Sequence, residues 1–433
     1  MRLRCTVADA AAVAATLRAR VPAGASVSAE VREIVERVRA GGDAAVLEYQ
    51  RRFGGAEGAE AGGGPGAGAS GPGAGASGSG GGAFAPSGAA GPFRIPPDRL
   101  RAALDGLDPS VRAGLEMAIA NVSAVAAAGL DRESLVVLEQ GQTVRLREVP
   151  VARAAVYAPG GRAPYPSSVV MGAVTARAAG VDEVVVAAPP HPVILAAAAL
   201  CEADEVYAMG GAQAIAALAH GTESVARVDV IVGPGNLYVQ EAKRQVSGLV
   251  GIDGFAGPSD LCLILSAGGD PEWAALDLAA QAEHGPDSLV VAVSDDPALL
   301  ADDMPAVVHA ADLDAALAFA EALAPEHLQL MGPAAEALAP RVRRAGCLFV
   351  GAHSGTAFGD YVAGSNHTLP TEGAARFASG LSPRHFRRRM AEVRVPAAAA
   401  AALAPAGAAV ARAEGFEAHA RSMEARIGEN PAP

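Results

Sequence analysis

The stretch VDEVVVAAPPHPVILAAAALCEADEVYAMGGAQAIAALAHG, residues 181–221, decides the fold. It contains two short apolar runs, EVVVAAP (183–189) and EVYAMGG (205–211), each of strand length. Each is followed by an Ala- and Leu-rich segment of helical length, PVILAAAALCEA and AQAIAALAHG. Short apolar strands alternating with helices of about ten residues imply a parallel sheet covered by helices on both faces.

The pattern extends in both directions. Upstream, PPDRLRAALDGL (96–107) and PSVRAGLEMAIANVSAVAAAG (109–129) have helical periods. VVLEQGQTVRLREVPVARAAVYAPGG (136–161) reads as strands and turns, and SSVVMGAVTARAAG (167–180) as a helix. Downstream come a strand in VDVIVGPGN (228–236) and a helix in LYVQEAKRQVSG (237–248). After Gly257 the style repeats. The strands are LCLILS, LVVAVSD and CLFVG; the helices are PEWAALDLAAQAEH (271–284) and AALAFAEALAPEH (315–327). The expected fold is α/β, with two doubly wound, incompletely Rossmann-like lobes built on parallel sheets. One lobe spans 28–155 and 259–383, the other 156–258. A helical segment over 1–27 precedes them and a helical tail over 384–433 follows.

Composition sets limits. The chain has 433 residues, enough for two or three domains. Only 4% of it is aromatic, so Ala, Val and Leu must build the cores. A net charge of −13 argues against nucleic acid or an anionic membrane as partner. The cysteines, Cys5, Cys201, Cys262 and Cys347, form no C-x-x-C, which suits a reducing, cytoplasmic setting and offers no thiolate metal site. The N-terminal twenty residues read as an amphipathic helix rather than a signal peptide. No uninterrupted apolar run of about 18 residues points to a membrane span.

Residues 54–92 stand apart. They are almost wholly Gly, Ala, Ser and Pro, with GPGAGAS repeated at 64–70 and 71–77. So little apolar surface cannot offset the ordering entropy, and a disordered insertion is expected. GAGASG at 66–71 and 73–78 matches the G-x-G-x-x-G dinucleotide pattern, but no strand precedes it and no helix follows, so neither match counts.

Chemistry concentrates elsewhere. YAPGGRAP (157–164), GGAQ (210–213) and GPGN (233–236) are glycine loops ahead of helices, where exposed N–H groups cradle phosphates. In doubly wound sheets such loops lie beyond the carboxyl ends of strands, where ligands sit. QAEHGPDS (281–288) places Gln281 and His284 three apart on one helix face, an oxygen and nitrogen pair able to hold a divalent cation. Two ligands are too few. APEHLQL adds Glu326 and His327, FGDYVAGSNHTLPT adds Asp360 and His367, and AEGFEAH adds Glu414 and His419. The other histidines, at 191, 220, 309, 353 and 385, read as loop or surface residues. In isolation QAEHGPDS reads first as a solvated helix end, and PEH as a helix C-terminus.

The ordered set YAPGG, GGAQAIAALA, GPGN with EAKRQV, GPSD, QAEHGPDS, APEHL, GDYVAGSNHTLPT and E-x-x-x-x-H (414–419) resembles the histidinol dehydrogenase family over roughly 25–50 and 93–425. The resemblance implies NAD- and zinc-dependent oxidation of L-histidinol, via L-histidinal, to L-histidine, with one zinc per subunit. It implies Gln281, His284, Asp360 and His419 as zinc ligands, and Glu326 and His327 as the catalytic pair. Tyr157, Gln213 and Asn236 would contact NAD. Ser259, His367 and Glu414, with His327 and the metal ligands, would hold the substrate. By the same resemblance the lobe over 156–258 binds NAD, the other lobe holds metal and catalytic residues, and an intertwined homodimer brings His419 of the tail into the partner's site. Oxygen and imidazole ligands alone would also suit manganese or cobalt. Asp260 stands where the family often has Glu, and HSGT (353–356) departs from a commoner Ser-Pro form. The competing readings are a related dehydrogenase of another amino alcohol or polyol, a zinc hydrolase, and a non-catalytic NAD or metal sensor. The glycine loops oppose the second, and the Glu326–His327 pair opposes the third.

Overall fold

The computed structural model describes residues 1–21, 26–53, 91–160, 163–255, 257–301 and 304–427. The insertion expected over 54–92 lies outside the described residues apart from its last two. The chain divides into two compact units, one of Met1–Gly129 with Ala152–Phe386, the other of Leu130–Val151 with Arg387–Pro433.

In chain order the first unit opens with β1 (Arg2–Cys5), α1 (Ala10–Arg18), α2 (Ser28–Phe53), α3 (Pro97–Asp105) and α4 (Pro109–Ala128). The second unit supplies β2 (Ser134–Val137) and β3 (Thr143–Pro150). The first resumes with β4 (Arg153–Tyr157), α5 (Pro166–Ala178), β5 (Glu183–Ala188), α6 (Pro192–Leu200) and β6 (Glu205–Ala208). Next come α7 (Gly211–His220), β7 (Val230–Val232), α8 (Leu237–Val246) and β8 (Gly251–Ile252). Then follow β9 (Asp260–Leu265), α9 (Pro271–Ala282), β10 (Leu289–Ser294), β11 (Val307–Ala310) and α10 (Leu313–Leu323). β12 (His327–Met331), α11 (Pro333–Glu336), β13 (Cys347–Val350) and α12 (Thr356–Tyr361) complete it. The second unit ends in β14 (Arg387–Arg394), α13 (Ala397–Ala413) and α14 (Glu417–Glu424).

Two wholly parallel sheets form the first unit, as the alternation requires. Their orders are β6-β5-β4-β7-β8 and β1-β11-β10-β9-β12-β13. Apart from β1, both run third, second, first, fourth, fifth by position in the chain. Each therefore reverses direction once, between β4 and β7 and between β9 and β12, and such switch points open a crevice. The strands of 181–221 are buried along nearly their whole length, which explains their unbroken apolar character.

Several elements depart from the sequence reading. The N-terminal segment, expected to be helical, begins with β1, which extends the six-stranded sheet beside β11. Alternating RLRC is too short to be told from a helix turn. Residues 28–53, grouped by sequence with the catalytic lobe, pack instead with the five-stranded sheet. Val31, Ile34, Val38, Val46 and Tyr49 join its core. The segment AALAFAEALAPEH is helical only to Leu323. Ala324 has φ 47, and Pro325 disfavours helix in the residue before it. PEH therefore leads into a strand and is not a helix end. The tail opens with a single 3-10 turn, Pro383–Phe386, and continues in β14 rather than an α-helix. α4 is, by length and composition, the one helix among the described residues able to cross a membrane. It buries the stripe Leu115, Ala118, Val122 and Ala126, carries an Arg112–Glu116 ion pair and packs on α5.

In the second unit β14 pairs antiparallel along all of β3, and β2 covers the other edge of β3. α13 and α14 form a hairpin packed through Ala408, Ala411, Ala420 and Met423. Arg412 ties the hairpin by ion pairs to Glu417 at 2.9 Å and Glu424 at 2.6 Å.

Candidate active site

The amino ends of β9, β12 and β13 meet at one edge of the six-stranded sheet. His327, the first residue of β12, lies beside Leu261 of β9 and Cys347 of β13. Ser259 and Glu326 immediately precede their strands. α9 and α12 pack together, and each carries candidate ligands in or just beyond its last turn. This differs from the expectation that ligands collect at carboxyl ends. Here the end of a returning helix and the start of the next strand supply the side chains.

Asp260 organises the pair. Its backbone N–H donates to the Glu326 carboxylate at 3.0 Å, and its carboxylate accepts the Glu326 N–H at 2.5 Å. Its carbonyl oxygen lies 3.3 Å from Nδ1 of His327. A carbonyl can only accept, so Nδ1 bears a proton. The same nitrogen is 3.5 Å from Oε2 of Glu326, and Nε2 faces Oδ1 of Asp360 at 3.7 Å. The ring stacks on Phe349. Ser259 Oγ donates to Glu326 Oε2 and accepts from Gln281 Nε2 at 2.5 Å.

This geometry sets the electrostatics. Burial alone would push the His327 imidazole down, but the Glu326 and Asp360 carboxylates outweigh it and hold it well above its ordinary value. Burial likewise opposes ionisation of Asp360, yet His327, with His367 and His284 behind it, keeps its carboxyl below the usual range. Burial pushes His367 down. Its Nδ1 lies 2.9 Å from the Asp360 carbonyl oxygen, and its Nε2 lies 3.4 Å from Ser168 Oγ on α5. Asn366 donates to Met171 O at 3.1 Å, so the turn bearing His367 is pinned to the helix layer of the five-stranded sheet.

A cation fits this donor set in one specific respect. Oε1 of Gln281 is buried with no hydrogen-bond partner, an acceptor that folding leaves unmet. His284 directs Nδ1 to the Gln281 carbonyl oxygen at 3.2 Å, which frees Nε2, the arrangement usual for a ligating imidazole. Among the described residues no three His, Cys, Asp or Glu side chains form a metal-binding group. The set in question is a carboxamide, an imidazole and a carboxylate. Of the expected residues, Ser259, Gln281, His284, Glu326, His327, Asp360 and His367 fall in the first unit. Glu414 and His419 belong to the second, where both are exposed and the His419 ring meets that of Phe416 at a tilt.

Tyr157, Gln213 and Asn236 lie at the carboxyl ends of β4, β6 and β7. Tyr157 Oη accepts the Gly211 N–H at 3.0 Å, and Asn236 Oδ1 caps α8 by accepting from Val239 at 3.1 Å. Gly233, at the switch point, has φ 118, and a Cβ there would fall on the Tyr157 carbonyl oxygen. Lys243 is fully buried below this loop. Its Nζ donates to Gly233 O at 2.9 Å and pairs with Asp253, which accepts the Gly233 N–H at 2.7 Å. The sequence reading missed Lys243, Asp253, Ser168 and the organising role of Asp260. One signal for the first was available: Lys243 is the sole lysine in a chain otherwise basic through arginine.

A family model described as histidinol dehydrogenase matches residues 84–305 and 300–427. The chain is similar to the histidinol dehydrogenase of Pseudomonas aeruginosa, 38% identical over 93% of this chain and 91% of that protein. It is similar to that of Rhizobium meliloti, 37% identical over 96% and 95% respectively. The fold is similar to the crystal structure of histidinol dehydrogenase from Elizabethkingia anophelis, with TM-score 0.80, 27% identity and 93% of each chain covered.

Proposed function

This chain belongs to the histidinol dehydrogenase family, and from that premise we propose that it oxidises L-histidinol through L-histidinal to L-histidine, the last step of histidine biosynthesis, using two NAD and one zinc ion per subunit. The observation that supports it best is the buried Glu326–His327 pair beside the unpartnered Oε1 of Gln281. Gln281, His284 and Asp360, with His419, would hold the zinc. When bound, zinc would supply an electrophile that orients the substrate's nitrogens, and NAD a hydride acceptor.

The chain's own residues handle the protons. His327 sits between the Glu326 and Asp360 carboxylates, which orient the imidazole to take up and release protons. In the first oxidation His327 takes the hydroxyl proton as hydride leaves the carbon. In the second, Glu326 removes a proton from water adding to the aldehyde. His327 then takes the proton of the resulting hydrate as the second hydride leaves. Ser259 and Asp260 fix the Glu326 carboxylate, so acid and base stay in register through both steps. Tyr157, Gln213 and Asn236 would border the NAD. His367 and Glu414 suit a substrate bearing an imidazole and an amine. The free cysteines fit a cytoplasmic enzyme.

The test is direct. Protein, NAD and histidinol should together raise absorbance at the reduced-nicotinamide band. A strong chelator should abolish the rise and added zinc restore it. Full activity of metal-free protein, or none with zinc present, would overturn the reading.

A further inference from the structure

We propose that Arg18, at the end of the N-terminal helix α1, is a positioning residue for the catalytic pair, acting by neutralising Asp260. The proposal rests on the reading of Glu326 and His327 given above. Arg18 Nη1 lies 2.6 Å from Asp260 Oδ2, and its Nη2 donates to Leu323 O at 2.7 Å. One guanidinium therefore grips both the start of β9 and the last residue of α10, three residues before Glu326.

Asp260 is 0% exposed and touches each member of the pair. It holds the Glu326 carboxylate through its N–H, the Glu326 N–H through its own carboxylate and His327 through its carbonyl. The Glu372 N–H adds a bond to Oδ2 at 3.3 Å. A second buried carboxylate next to Glu326 is a hazard unless neutralised, because two like charges in one dry site cannot both stay ionised. Burial, aided by Glu326, holds the Asp260 carboxyl above its usual range even with Arg18 opposing it, so loss of the guanidinium would raise it further. If Asp260 took up a proton, it would lose an acceptor or contest the one shared with Glu326, and the carboxylate that activates water would shift.

The experiment compares oxidation of histidinol with oxidation of added histidinal in wild type, Arg18→Met, Arg18→Lys and the double variant Arg18→Met/Asp260→Asn. Glu326 acts in the aldehyde step, so Arg18→Met should lower kcat for histidinal by about 10-fold or more. The histidinol step should fall less and KM for NAD should not change. Arg18→Lys should recover part of the loss, since an ammonium can pair with Asp260 but cannot also reach Leu323. The double variant should exceed Arg18→Met, because neutral Asn needs no counter-charge. A purely structural Arg18 would instead lower both steps in parallel with the folded fraction, measured by circular dichroism. That result, or a double variant no better than Arg18→Met, overturns the proposal. If Arg18→Met does not fold, Arg18→Lys is compared with Arg18→Lys/Asp260→Asn, which should again be the faster on histidinal, and equal rates would overturn the proposal. Wild type that oxidises neither compound would overturn the functional reading instead.

Discussion

Glu326 and His327 are adjacent in sequence and their side chains meet at 3.5 Å, yet their other partners differ. Here Glu326 turns back to Ser259 and the Asp260 N–H, while His327 faces Asp360. This division of neighbours predicts a division of labour. Glu326→Gln keeps the shape and can still accept from Ser259, but cannot take a proton from water. Oxidation of histidinal should fall by about 100-fold or more, the scale of general-base catalysis, and histidinol oxidation much less. Steady-state rates on each compound check this, and equal losses would show that Glu326 acts in both steps. The residues themselves were legible in the sequence through their motifs, but their surroundings were not. Asp260 appeared only as a departure next to Ser259, because a carboxylate pairing across 66 residues leaves no local pattern. Arg18, 242 residues from its partner, was equally silent.

At the level of elements, legibility followed length and burial. The alternating strands and helices of 181–221 stand in the structure where the sequence put them, since a buried strand needs an apolar run and each helix has its own start and stop. β1, β11 and β12 were missed. They are four or five residues long, and β12 opens with polar His327, which broke the apolar pattern a strand should show. The GPGN loop was recognised as a turn, but its support came from a buried ion pair whose members lie ten and twenty residues beyond Gly233. Lys243 and Asp253 bind both the carbonyl and the N–H of Gly233, which locks the loop in a conformation open only to glycine. Gly233→Ala should cost on the order of 1–3 kcal/mol in backbone conformation alone, and more from collision with Tyr157. If NAD binds at this switch point, KM for NAD should rise at temperatures where the variant is still folded. Calorimetry with NAD titration checks both, and unchanged NAD affinity would place the cofactor elsewhere.

At the level of the whole molecule, the second unit is the problem to be solved. Its helical hairpin buries little beyond Ala408, Ala411 and Ala420, while Leu135, Val136, Val137, Val393, Val410 and Phe416 are exposed in a single chain. So much apolar surface around so small a core calls for a covering partner. The same unit carries Glu414 and His419, and the first unit carries Gln281, His284 and Asp360. An intertwined homodimer would meet both needs by placing His419 in the partner's site. In a two-fold dimer each such site draws on both chains. His284→Ala and His419→Ala proteins should then be inactive when pure. Unfolded together and refolded, half of their dimers should be mixed. One site of each mixed dimer would then have every ligand and the other would lack two. Activity should return to about a quarter of wild type, given independent sites and equal assembly. Sizing by light scattering establishes the dimer, and differently tagged chains identify the mixed species. Mixed dimers without activity would mean that His419 serves its own chain or does not bind the metal.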